Sequence, residues 1–86
     1  MECSVEISMY PLNTDYKPAI IAFIKQLRKY PFITIETNGI STQIFGDYKR
    51  VMKAINTEMK NTFIEEGKVV FNIKVMNGKL SEKPQF

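Results

Sequence analysis

Two carboxylates, Glu6 and Glu36, stand on the polar sides of alternating runs, and a pair placed in this way can divide general acid and base work. On a wet sheet face, however, a glutamate is usually just a solvated charge. The 86 residues include no histidine, which excludes a histidine-based triad, a histidine proton shuttle and a histidine-ligated zinc site in this chain. The single cysteine, Cys3, lies on the apolar side of its run and reads as core packing, not as a nucleophile. Alone, it forms no internal disulfide and no cysteine-only metal cluster. The four glycines fall at turns or element ends and offer no phosphate-cradling loop. Gly46-Asp47 opens a helix, whose first N–H groups could hold an anion, but Asp47 brings its own negative charge and reads as the cap. Binding chemistry is better represented. Ser8, Tyr10, Glu36, Ser41 and Gln43 combine an aromatic wall with donors and acceptors, the mixture that a flat organic ligand needs.

The elements that must position these residues follow from periodicity. Residues 2–10 alternate, with Cys3, Val5, Ile7 and Met9 on one side and Glu2, Ser4, Glu6, Ser8 and Tyr10 on the other, the pattern of a half-buried strand. Pro11 ends it. Asn13-Thr14-Asp15 offers helix caps, and Pro18 is tolerated within a first turn. Ile20, Phe23, Ile24 and Leu27 then follow the helical period up to Tyr30, before Pro31. Strands are predicted over Phe32–Thr37 and Ile40–Phe45, joined by Asn38-Gly39. This dipeptide calls for a two-residue type I′ turn that places Thr37 opposite Ile40 and Glu36 opposite Ser41. Asp47 caps a second helix to Glu66, with Tyr48, Val51, Met52, Ile55, Met59 and Phe63 as its buried stripe and Gly67 just beyond its end. A last strand covers Lys68–Met76.

This order, strand–helix–strand–strand–helix–strand, predicts one α+β domain over residues 1–78, followed by a polar tail, 79–86. Two right-handed crossovers give a ferredoxin-like βαββαβ sandwich: a four-stranded antiparallel sheet with both helices on one face. The first and third strands are central, and the second sheet face is uncovered. That face is expected to carry Ser4, Glu6, Ser8, Tyr10, Thr34, Glu36, Ser41, Gln43, Phe45, Asn72 and Lys74. Fold alone does not decide function.

Twelve Lys and Arg against nine Asp and Glu leave a net charge of +3, and the cations are spread over two helices without the clustering of a nucleic-acid binder. Glu6 and Glu36 would also repel phosphates from the open face, so no nucleic-acid partner is expected. The longest apolar run, Pro18–Ile24, is far short of the roughly 20 residues that span a bilayer. Met1-Glu2-Cys3-Ser4 lacks the basic-then-apolar signature of an export leader. With a free cysteine, these features point to a cytoplasmic protein without membrane insertion.

Three segments carry a resemblance: Ser8-Met9-Tyr10-Pro11-Leu12, the stretch from Glu36 through Asn38-Gly39 to Gln43, and Gly46-Asp47-Tyr48. Across residues 2–77 the chain resembles a single repeat of the YkoF-type thiamine/hydroxymethylpyrimidine-binding family. The resemblance implies a ferredoxin-like domain, assembly as a homodimer or homotetramer, and non-catalytic capture of thiamine or its pyrimidine precursor beside a precursor transport system. Better-known members carry two repeats in one chain, so with one repeat a complete site draws on a second subunit. An aminopyrimidine edge suits a carboxylate with a hydroxyl or amide opposite. Glu36 is then the expected carboxylate, Ser41 and Gln43 its counterparts, and Tyr10 a stacking wall, with Ser8 beside it. If the pocket opens toward the helices, Thr37 and Thr42 contribute instead. The alternative is a structural or regulatory oligomerisation module whose polar sheet face is a subunit interface.

Overall fold

In the computed structural model, which describes residues 1–12, 15–82 and 85, the chain runs β1 (Glu2–Pro11), α1 (Tyr16–Leu27), β2 (Ile33–Thr37), β3 (Thr42–Asp47), α2 (Tyr48–Glu66) and β4 (Val69–Asn77). All strand pairs are antiparallel, in the order β2-β3-β1-β4, the expected ferredoxin-like arrangement with β1 and β3 central. The alternating apolar residues of β1 face the helices. Cys3, Val5, Ile7 and Met9 join Ile44 and the helical residues Ala19, Phe23, Leu27, Val51, Ala54 and Ile55 in one buried cluster.

Asp15 is the N-cap residue of α1 but makes no side-chain cap bond; the caps expected at Asn13 and Thr14 lie outside the described residues. Helix α1 ends at Leu27 and not at Tyr30. Its last turn tightens, with N–H bonds from Lys29 to the Gln26 carbonyl and from Tyr30 to that of Leu27. The cause is Pro31, which disfavours helical geometry in the residue before it. Asp47 caps α2 as expected, accepting from the Arg50 N–H at 3.4 Å. Burial pushes the Asp47 carboxyl up, but the N-terminal ammonium and the Arg50 N–H outweigh it and hold the group below the usual range. Gly67 ends α2 at φ 76°, as its position suggested. The buried stripe differs from expectation. It runs Val51, Ala54, Ile55, Glu58 and Thr62, while Tyr48 and Phe63 are exposed at its margins.

The β2–β3 hairpin requires a correction. Thr37 pairs with Thr42, Glu36 with Gln43 and Ile33 with Gly46, so the loop is the four residues Asn38–Ser41 and the register is two residues from the expected one. The Asn38 side-chain oxygen accepts the N–H groups of Ile40 (2.8 Å) and Ser41 (3.2 Å), and the Asn38 N–H donates to the Ser41 carbonyl. An asparagine side chain thus completes the turn. Gly39 is not among the residues at positive φ. Because the shift is two residues, every side chain keeps its face.

The outer sheet face is less open than expected. Ser4 Oγ–H donates to the Gly78 carbonyl at 2.7 Å, and the Leu80 N–H donates to Ser4 Oγ at 2.8 Å. The start of the expected tail is therefore tied back across the sheet, and both Ser4 and Phe45 are buried. Lys83, Pro84 and Phe86, also assigned to that tail, lie outside the described residues.

Candidate functional site

Where β1 ends, α1 begins and the β2–β3 loop turns, the sheet and α1 separate around a cavity of about 510 Å³. The local sequence explains the gap. Pro11 closes β1 while Tyr16 starts α1, so the chain crosses from the sheet to the helical layer at this end. The walls are mostly apolar, built from Met9, Ile20, Phe23 and Ile24, with Tyr10 and Tyr16 at the mouth. The inward-facing polar group is a hydroxyl pair, Thr37 Oγ1 and Thr42 Oγ1, 2.8 Å apart. Thr42 is 6% exposed. Two hydroxyls carry two hydrogens, and their mutual bond uses one. The other, with the unused lone pairs, can serve a ligand. Asn38 commits its carbonyl oxygen to the loop, which turns its NH₂ away from the turn.

Behind this cavity the outer face holds a second polar set. Ser41 Oγ–H donates to Glu6 Oε2 at 2.9 Å, Gln43 Nε2–H donates to Ser41 Oγ at 3.0 Å, and Lys74 Nζ lies 3.7 Å from Glu6 Oε1. The carboxylate that meets Ser41 is therefore Glu6. Glu36 is exposed and lies across from Gln43.

Of the residues singled out by sequence, Ser8, Tyr10, Thr37, Ser41 and Thr42 line the cavity. Glu36 and Gln43 lie on the outer face and do not. Thr37 and Thr42, expected to contribute if the pocket opens toward the helices, share the cavity wall with Ile20, Phe23 and Ile24 of α1. Sequence reasoning missed Tyr16, Phe23 and Asn38. The signals were present: the short β1–α1 connection brings the start of α1 to the end of β1, and asparagine before glycine is a turn-forming residue in its own right.

The arrangement has the features of a binding site. Cys3, the one thiol, is buried on the inner face, and burial pushes its pKa up, away from nucleophilic character. Among the described residues, no cluster of three or more acidic, cysteine or histidine side chains could hold a metal ion, and no helix is long and apolar enough to cross a membrane.

No protein-family model and no curated protein sequence matches the chain. Solved structures do. A hypothetical protein from Methanocaldococcus jannascii aligns with a TM-score of 0.77 at 23% identity, over 98% of this chain and 88% of that one. A Thermotoga maritima protein, provisionally named for thiamine biosynthesis or salvage, aligns with a TM-score of 0.76 at 14% identity, over 87% and 82%. A domain of unknown function from Bacillus cereus aligns with a TM-score of 0.76 at 11% identity, over 98% and 83%. At these identities the likeness is one of fold.

Proposed function

We propose that this protein captures thiamine or a hydroxymethylpyrimidine-like compound without transforming it, as a carrier or sensor linked to thiamine-precursor uptake and in the manner of the YkoF-type family. The observation that carries this reading is the cavity of about 510 Å³ at the end of the sheet. Its size and make-up, apolar walls with a few convergent polar groups, are those of a small-molecule site. The Thr37–Thr42 pair faces the heteroaromatic edge, and Tyr10 and Tyr16 supply the ring and cation contacts. The Thermotoga neighbour's name lends the ligand class further support. Thiamine has about 18 non-hydrogen atoms, and roughly 0.3–0.5 kcal/mol per atom gives a Kd between about 0.1 mM and 0.3 μM. Assembly as a homodimer or homotetramer belongs to the same reading.

Calorimetric titration with thiamine and with hydroxymethylpyrimidine tests it. Saturable heat in that range with either ligand is the expected result. No heat and no thermal shift at millimolar concentrations of both refutes it and favours the oligomerisation module, for which the exposed Glu36, Asn72 and Met76 on the outer sheet face are the supporting observation.

A further inference from the structure

The two edges of the sheet are built differently. The β2 edge is five residues long, is preceded by Pro31 and by Phe32 at φ 71°, and carries the charge of Glu36. Short length, proline and charge are the devices that keep an edge from pairing with another chain. The β4 edge is long and has no proline, and its one charge is Lys74. Its nine residues, Val69–Asn77, pair with β1 without a bulge. Lys74 is already engaged by Glu6. Val70, Val75 and Met76 are about half exposed. Beside them stands Phe63 of α2, itself 48% exposed, with its ring 5.6 Å from that of Phe71.

The direction of the β4 backbone groups follows from two bonds at its ends. The Leu12 N–H donates to the Lys68 carbonyl, and the Gly78 N–H donates to the Glu2 carbonyl. Hydrogen-bonded pairs alternate along an antiparallel ladder, so even-numbered residues of β4 bond to β1. The N–H and C=O groups of Val69, Phe71, Ile73, Val75 and Asn77 point out of the sheet.

We propose that β4 pairs with β4 of a second copy of this chain, antiparallel about a two-fold axis at Ile73, joining two sheets into one of eight strands. Centred there, the strands overlap over their full length and all outward groups find partners. Val70 stands opposite the second copy's Met76, Phe71 opposite its Val75 and Asn72 opposite its Lys74. Centring the axis one residue later would set Lys74 against its own copy. The Ile73 register avoids that repulsion and places apolar residues against each other. The two Phe63 side chains flank the junction. This gives the homo-oligomer of the proposed function a specific surface, independent of any ligand.

The test is sedimentation equilibrium without ligand, combined with amide hydrogen exchange. The expected mass is about 20 kDa, twice the 10.0 kDa chain, with protection of the Phe71, Ile73 and Val75 amides that rises with concentration. A tetramer with the same protection also supports the interface. Asn72→Lys, which sets like charges across the junction at two symmetric places, should weaken the dimer about tenfold, and Asn72→Glu should tighten it. Val75→Pro removes an outward N–H while sparing the ladder to β1 and should leave a folded monomer by circular dichroism. If that variant unfolds, the two Asn72 variants decide the question. A 10.0 kDa mass throughout the micromolar range, an oligomer whose outward β4 amides exchange freely, or Asn72 variants shifting the equilibrium the same way would each overturn the proposal. A failed thiamine titration would leave it intact.

Discussion

Thr42→Val probes the cavity with little change in shape. Thr42 is buried, and its hydroxyl meets that of the exposed Thr37 at 2.8 Å. Valine keeps the branched shape and removes the oxygen, so the pair loses the hydrogen or lone pair it offers a ligand. A neutral hydrogen bond is worth about 0.5–1.5 kcal/mol, which corresponds to a Kd weakened roughly two- to thirteenfold. Folding should change by less than about 0.5 kcal/mol, because water replaces the lost partner at Thr37 and valine gains from burial. Glu36→Gln is the control. Glu36 lies outside the cavity wall, so its affinity should stay within about twofold of wild type, whereas a charge-assisted bond to the ligand would cost about ten- to hundredfold. Calorimetry for affinity and urea unfolding for stability, on the same three samples, provide both readouts. If a ligand binds and Thr42→Val leaves its affinity unchanged while Glu36→Gln abolishes it, the site is on the outer face and the cavity reasoning fails.

Two further predictions concern the scaffold. Glu58 is 7% exposed and accepts the Tyr30 hydroxyl at 2.6 Å, so Tyr30→Phe should cost about 1.5–3 kcal/mol in urea unfolding. The bond to the Glu58 carboxylate, and then burial, raise the Tyr30 pKa above 10.0. The pair's contribution is therefore complete below the ordinary tyrosine range and lost as pH rises through the raised folded value, an alkaline loss that Tyr30→Phe should lack. A Cβ at Gly46 would sit 3.0 Å from the Phe32 carbonyl oxygen and 3.2 Å from Val51 Cγ2, whereas one at Gly39 meets nothing within 4 Å. Gly46→Ala should then destabilise by about 1–3 kcal/mol, and Gly39→Ala by less than about 0.5 kcal/mol; the reverse order in thermal melts would contradict the observed hairpin.

Element types and their order were open to sequence reasoning because periodicity and punctuation agree along most of the chain. The alternation in β1, the Asp47 cap and Gly67 each specify one outcome. The failures have definite causes. The buried Glu58 is invisible to a pattern that counts only apolar residues, since its partner Tyr30 comes from the segment just past the end of α1. The hairpin register escaped because a two-residue shift buries the same face, so the hydrophobic pattern is equally satisfied by both pairings. The choice rests on local chemistry: the Asn38 side chain closes a four-residue loop, and Gly46 lets the Phe32 carbonyl pass close beside it.

That ambiguity also explains which carboxylate gathers partners. A two-residue turn sets Glu36 opposite Ser41, which is why the sequence points to Glu36. In the observed register Glu36 faces Gln43 from an edge strand, where one neighbouring strand is all it has. Glu6 lies on the central strand β1, opposite Gln43 on one side and Lys74 on the other, with Ser41 within reach as the loop turns over it. A central position gives a side chain two flanking strands, so polar residues converge there wherever the face is polar. The strand order alone, which the sequence does predict, was sufficient to rank Glu6 above Glu36. It also accounts for the separation of the two polar sets. Glu6, Ser41, Gln43 and Lys74 satisfy one another on the outer face. The Thr37–Thr42 pair sits one residue out of phase on the helix side, in the mostly apolar cavity, and its mutual bond uses one of its two hydroxyl hydrogens.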